Sequence, residues 1–513
     1  MTPPRIADLV TEGALRHAER PAIRQGDRVV DYRALAHEVA TAASWLEGVG
    51  VGPADRVLIV AENDVEALVL LFAAGRREAW PVLATAKLAA AEIDAICAHC
   101  EPRLALYATG SSDEAAAHAA RRGAHPVEIG SSRGVRVERF AGGPTREAAP
   151  DGPAADVAVM LYTSGTTGAP RAAMLTHSNL LFLARTQSLA RRYAPSDRVY
   201  VALPFAYAGA LASIALSTLA AGGCLVLEPR FDPARLALLV RDDGITVVPG
   251  VPALHVKFAH WAREHDGAFA ASRVRMVTSA SSPLDAAVKA DVEALFGLPL
   301  QNGYGLTETT AVVCQTRLDE RRADTSVGRA LPGVRVRFAD ARGADVPAGE
   351  LGEILVQGPN VFVGYFRDPA ATRAAFTADG WLRTGDLGRI DASGDVFVTG
   401  RLKDMIKRSG YTVVPAEVEA ALQAHPATAR CAVVGRPRGA DEEVVAFVEL
   451  KEGTSLAETS LRAFLARRLA AHKRPGVLRF VAQLPSLPNG KPDRRTLGRI
   501  AREDRDPPGV TAA

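Results

Sequence analysis

Cysteine is scarce: five in 513 residues cannot build a disulfide framework, so a reducing compartment, the cytoplasm, is the expectation. Cys97 and Cys100 form a C-x-x-C, yet no second pair or spaced histidines accompany them, and they read as two thiols on an apolar helical stretch with Ile93 and Ile96. Long hydrophobic runs are lacking too. The most apolar one, Ala67–Ala74, falls far short of the ~18 residues a membrane span needs, and the opening Met1-Thr-Pro-Pro-Arg5 has no signal-peptide core. Nor is there an excess of one charge. With 61 basic against 58 acidic side chains the net charge is +3, which argues against a dedicated nucleic-acid binder. Lysine is rare within that sum, 8 against 53 arginines, so each retained lysine poses its own question.

What is present is a globular composition, 48% hydrophobic and 23% charged, on a chain long enough for about two to four domains. Short apolar strands (56–61, 199–203, 223–227, 245–248) alternate with helical patterns such as 65–71 and 233–240, which predicts α/β layers with largely parallel sheets. Residues 111–150 show little periodicity and are expected to be surface connections. After about residue 330 short strands and turns take over (334–338, 352–356, 395–398). A helix is expected from Pro415, strands at 431–435 and 444–450, and a basic helix over 460–472. The predicted fold is therefore a large N-terminal domain of layered α/β sheets plus a β-rich subdomain, followed by a small mobile C-terminal α+β domain. Its boundaries are 1–399, 400–505 and a disordered tail at 506–513.

The sharpest local signal is Tyr162-Thr-Ser-Gly-Thr-Thr-Gly-Ala-Pro-Arg171, directly after the apolar strand Val157–Leu161. Thr163, Ser164, Thr166 and Thr167 supply hydroxyl donors, and Gly165 and Gly168 let backbone N–H groups converge, the chemistry of a loop that cradles phosphate. It does not fit G-x-x-x-x-G-K-[ST], which disfavours a standard P-loop nucleotidase.

Together with Asn302-Gly-Tyr-Gly-Leu-Thr-Glu308, Thr384-Gly-Asp386, Gly400-Arg-Leu-Lys-Asp-Met-Ile-Lys407 and Asn489-Gly-Lys491, this loop resembles the adenylate-forming (AMP-binding) superfamily, of the acyl- and aryl-CoA synthetase type. The resemblance runs from about Arg20 to Leu497 with the five motifs in order. It implies ATP-dependent activation of a carboxylic acid to an acyl-adenylate with release of pyrophosphate, then transfer to the thiol of coenzyme A. The alternative is a stand-alone adenylating enzyme that loads the phosphopantetheine of a carrier protein; a remote one is a non-catalytic binder of nucleotide or acyl-adenylate. By the same resemblance, Thr163 to Gly168 hold the β- and γ-phosphates, with Arg171 keeping a positive charge at the loop's end. Tyr304 stacks on adenine beside Gly303 and Asn302, Thr307 donates to the α-phosphate, and Glu308 holds Mg²⁺. Asp386 accepts from the ribose hydroxyls, and Arg401 reaches ribose and phosphate. Lys491 bridges the acid and the α-phosphate, a task for a compact ammonium. Lys403 is the hinge, Lys407 enters the thioester-forming arrangement, and Gly410 faces the thiol tunnel.

Three positions depart from the family pattern. Arg171 stands where lysine is usual, Tyr207 where histidine is common, and Ala280 where glycine is. The expected acid pocket is Tyr207, Ala208, Gly209, Val251, Ser279, Ala280, Ser281 and Ala311, with Val312 beside it. These residues are apolar or small, no Asp follows Tyr207, and no Arg or Lys joins them, so a neutral aliphatic or aromatic monocarboxylic acid is the expected substrate. Expected partners are thus the acid, ATP and CoA or a carrier protein, with no nucleic acid and no membrane span; monomer and homodimer both remain open.

Overall fold

The computed structural model describes residues 4–503 except 133, 141–155, 164–170, 266, 268, 270–271, 409–410, 440 and 487–491. The chain forms two compact units: Met1–Val336 with Val356–Arg383, and Arg337–Leu355 with Thr384–Ala513. The 399/400 boundary falls within the second unit, inside the strand Val396–Arg401. The tail at 506–513 lies outside the described residues.

Among the described residues, the first unit holds two large sheets. One runs Gly364–Tyr365, Arg171–Thr176, Val157–Thr163, Trp80–Thr85, Arg56–Ala61, Leu104–Ala108, Val135–Arg139, His125–Val127. Its central strands are parallel (Ala61 opposite Thr85, Leu83 opposite Leu161), as short β-branched runs joined by helices demand. The Val65–Arg76 helix follows the first of them, capped by Asp64 and buried along nearly its whole length. Buried on every side, it reads as a continuous apolar run without a polar face. The other sheet runs Arg329–Ala330, Cys314–Gln315, Leu300–Tyr304, Met276–Ser279, Val247–Gly250, Arg198–Val201, Cys224–Leu227, Pro21–Gln25, Arg28–Asp31.

Residues 113–139 correct the expectation of surface connections. They form the helix Asp113–Arg121 and the strands His125–Val127 and Val135–Arg139, the last antiparallel to Leu104–Ala108. The helix starts where Ser112 accepts from the Ala115 amide (3.1 Å), and it buries only Ala115, His118 and Ala119. Such small side chains carry little hydrophobic periodicity, which is why the pattern hides it.

Most of a four-stranded sheet (Arg335–Ala339, Gly352–Gln357, Leu382–Ile390, Val396–Arg401) belongs to the second unit, which also holds a three-stranded one. The latter comprises Thr428–Arg438, Asp441–Leu450 and Val477–Val481, with the Pro415–Gln423 and Glu458–Ala466 helices packed on one face and the Arg494–Glu503 helix on the other. The basic helix therefore ends at Ala466, short of the expected 472, and a separate 3₁₀ turn spans Ala471–Lys473. Arg474 donates to the Leu469 carbonyl (2.9 Å), satisfying an acceptor that a continued helix would have used.

Candidate active site

Open parallel sheets present ligand sites beyond the carboxyl ends of their strands. In the nine-stranded sheet, Gly250 lies opposite Ser279 and Ser279 opposite Asn302, so Val251 and Ala280–Ser281 leave the sheet along the edge where the neighbouring strand carries Gly303 and Tyr304 to its end. The Arg198–Val201 strand, parallel to the same set, leads to Tyr207. A Cβ on Gly209 would lie 3.9 Å from the Ser281 hydroxyl, which brings the 207–209 and 279–281 segments together. From Gly209 to Leu216 the backbone is a π-helix, a rare wide turn that concentrates at functional sites. Ser281 is left-handed (φ 71°), and the Ser279 hydroxyl is buried with no hydrogen-bond partner. Tyr207 is half-buried; burial and then the Glu62 and Glu92 carboxylates raise its phenol pKa. Glu62 itself is buried, accepts from the Thr85 hydroxyl (3.0 Å) and is ion-paired to Lys87 (3.2 Å). Neither Glu62 nor Lys87 was anticipated from the motifs.

The Asn302–Glu308 motif forms a compact turn. Tyr304 ends its strand opposite Cys314, and Thr307–Thr309 is a single 3₁₀ turn whose start is held by the Thr309 hydroxyl accepting from the Leu306 amide (2.9 Å). Thr310 (φ 52°) and Ala311 (φ 90°) then take left-handed backbone, and a Cβ on Gly305 would overlap the Ala311 carbonyl. Non-glycine residues held in that region store strain, on the order of 1–3 kcal/mol each, typical of binding turns. Asn302 is buried; its amide donates to the Thr325 (3.0 Å) and Ser326 (3.1 Å) carbonyls and its oxygen accepts from the Gly303 amide (3.0 Å), so it braces the turn.

The strands on either side of the hydroxyl-glycine loop pair Thr163 with Arg171; Ser164, Gly165, Thr166, Thr167 and Gly168 lie outside the described residues. Arg171 is 3.5 Å from Asp368 and lies over the Tyr365 ring, 5.7 Å from its centroid. Tyr365 donates to Glu308 at 2.8 Å. Among the described residues no group of three or more His, Cys, Asp or Glu converges, so no all-protein metal cage exists there. Glu308 fits Mg²⁺ in the other manner open to that ion, through one carboxylate completed by substrate phosphates.

In the second unit Asp386 is buried and lies opposite Arg401 in the sheet, with Arg401 Nε 2.9 Å from its carboxylate. Gly385 turns with φ 68°, and Asp386 N–H donates to the Thr384 hydroxyl (3.0 Å). Lys403 sits in the 3₁₀ turn Leu402–Asp404, and Lys407 lies on the Ile406–Arg408 strand, its amide held by Glu442 (2.6 Å). Gly410 and Lys491 lie outside the described residues. Just beyond Lys491, Pro492 bridges to Ser486, and Arg494 is ion-paired with Glu419 (2.7 Å). No helix among the described residues is long and apolar enough to cross a membrane.

The sequence profile described as "AMP-binding enzyme" matches residues 10–366, and that described as "AMP-binding enzyme C-terminal domain" matches 417–491. A feruloyl-CoA synthase from an Amycolatopsis species is 34% identical over 92% of this chain and 94% of that protein. A sulfoacetate–CoA ligase from Cupriavidus necator is 33% identical over 96% and 97%. ATP-bound MatB from Rhodopseudomonas palustris superposes with a TM-score of 0.84 at 31% identity, covering 98% of this chain and 100% of that one. The chain belongs to the AMP-binding enzyme family, as an adenylate-forming, acyl-CoA synthetase-like ligase.

Proposed function

We propose that the enzyme joins a neutral aliphatic or aromatic monocarboxylic acid to coenzyme A at the expense of ATP. A carboxylate oxygen attacks the α-phosphorus, pyrophosphate leaves, and the mixed anhydride of acid and AMP results. The thiol, giving up its proton to solvent, then attacks the acyl carbon to form the C–S bond, the acyl C–O bond breaks, and AMP leaves with the oxygen and its electron pair. In the first step Thr163 to Gly168 hold the outer phosphates, Thr307 donates to the α-phosphate and Lys491 bridges the two anions. Mg²⁺ held through Glu308 supplies charge neutralisation on the phosphates. Asp386 and Arg401 orient the ribose; Lys403 and Lys407 serve the rearrangement that admits the thiol.

What supports the substrate class is one observation. Tyr207–Gly209, Val251 and Ser279–Ser281 share the sheet edge with Tyr304, and none of them carries a charge. None of these residues would pair a second carboxylate or sulfonate on the substrate, and the Lys87 ammonium behind Tyr207 is already paired with Glu62. Ferulate, from the name of one relative, is an acid of the expected kind; sulfoacetate, from another, carries the extra anion this lining does not match. The test is acid-dependent pyrophosphate exchange over a panel of aliphatic, aromatic and dianionic acids, with CoA then offered as acceptor. Exchange with neutral monocarboxylates and thioester formation with CoA are expected. Faster exchange with dianions would overturn the substrate class, and transfer to a carrier protein but not to CoA would overturn the acceptor.

A further inference from the structure

The segment 360–366 straps two parts of the nucleotide site together. On one side it pairs with the outgoing strand of the phosphate hairpin, Gly364 opposite Met174 and Tyr365 opposite Ala173. On the other, Phe362 N–H donates to the Glu308 carbonyl (2.9 Å), and the Asn360 amide donates to Thr309 (3.2 Å) and Val312 (2.9 Å). Along this strap a single side chain touches both functional elements. The Tyr365 hydroxyl donates to Glu308 Oε1 at 2.8 Å while its ring carries the Arg171 guanidinium at 5.7 Å, itself 3.5 Å from Asp368.

We propose that Tyr365 is a positioning residue for the metal–nucleotide complex: its phenol fixes the Glu308 carboxylate through one oxygen and leaves the other to the cation. The proposal rests on the reading of Glu308 as the metal-holding carboxylate. A glutamate must immobilise three torsions to hold a ligand geometry, and a neutral donor on one oxygen does so without adding a competing charge. Outer hydrogen-bond partners of metal ligands act in this way, and losing one weakens metal binding about tenfold to a hundredfold. The same contact accounts for arginine at 171. The Arg171 guanidinium lies over the ring face and reaches Asp368 at once, which a compact ammonium does less well, so the end of the phosphate loop is tied to the metal-side carboxylate through one aromatic residue.

The test measures Mn²⁺ binding by the EPR signal of the free ion, on the full chain with an ATP analogue whose α,β-bridge cannot be cleaved. Tyr365→Phe keeps the ring under Arg171 and removes only the hydroxyl; the Mn²⁺ dissociation constant is expected to rise about tenfold. Glu308→Asp, which withdraws the carboxylate from the phenol by one methylene, provides a second arm with the same expected direction. Adding Tyr365→Phe to Glu308→Gln is expected to change nothing further. Wild-type Mn²⁺ affinity in Tyr365→Phe with weakened affinity in Glu308→Gln would overturn the positioning role alone. Wild-type affinity in Glu308→Gln would overturn the metal-holding reading beneath it.

Discussion

Two glycines only two positions apart in the chain show how differently a backbone position can be constrained. A side chain at Gly305 would overlap the Ala311 carbonyl, while one at Gly303 would meet nothing nearer than the Cys314 carbonyl at 3.5 Å, an ordinary contact. The fold therefore demands glycine at 305, whereas at 303 it leaves room for a side chain, and the proposed demand there is the nucleotide's. Gly305→Ala is expected to lower thermal stability, by more than about 1 kcal/mol, because turn and neighbour must separate. Gly303→Ala is expected to melt with the wild type yet raise the KM for ATP. Melting curves together with ATP titrations of pyrophosphate exchange distinguish the two, and an unstable Gly303→Ala would remove the ligand argument. Asp386 makes a similar point: a buried carboxylate that already has a guanidinium at 2.9 Å is oriented before any nucleotide arrives.

At the scale of elements, caps and buried imidazoles tie stability to pH. Asp64 caps the Val65–Arg76 helix by accepting from the Ala67 amide (2.7 Å) and takes a second bond from the Ser111 hydroxyl (3.0 Å). Burial, and then the Glu66 carboxylate, raise its pKa to about 7 despite those bonds. A raised acid contributes fully below its ordinary value of 3.8 and loses that contribution as pH climbs to about 7. Asparagine caps equally well and carries no charge. Asp64→Asn is expected to exceed wild-type stability by at least about 1 kcal/mol at pH 8 and to match it near pH 4. His255 and His177 act in the opposite sense. Burial lowers their pKa values to about 4 and about 3, with Arg5 adding to the shift at His177. Their contribution is complete above about pH 6.5 and declines as pH falls toward those values, by up to about 1.4 kcal/mol per pH unit for each. Urea unfolding of the wild type between pH 8 and pH 4 is expected to steepen below pH 6.5, and His255→Leu to flatten that limb.

At the scale of the whole molecule, the two half-reactions are expected to separate by lysine. Lys491→Ala should abolish pyrophosphate exchange while ATP still binds, and Lys407→Ala should slow thioester formation far more than exchange. Equal loss of both activities in the Lys407 variant would count against that division. The motifs that name these roles were legible in the chain because each is a contiguous run whose chemistry is local: a hydroxyl-glycine loop after an apolar strand, a carboxylate after Thr-Gly, a lysine after Asn-Gly. The α/β layering was legible for the same reason, since strand and helix periods are written in neighbouring residues. The helix and strands within 113–139 were not, because alanine and short edge strands leave little period to read. Tyr365 was not legible either. It lies 57 residues from Glu308, and nothing in Gly364-Tyr365 announces a partner. Only strand pairing with the phosphate hairpin brings its hydroxyl to that carboxylate and its ring beneath Arg171. Chemistry carried by contiguous residues follows from local order, whereas the orientation of each group depends on contacts between distant segments, which exist only once the sheets have assembled.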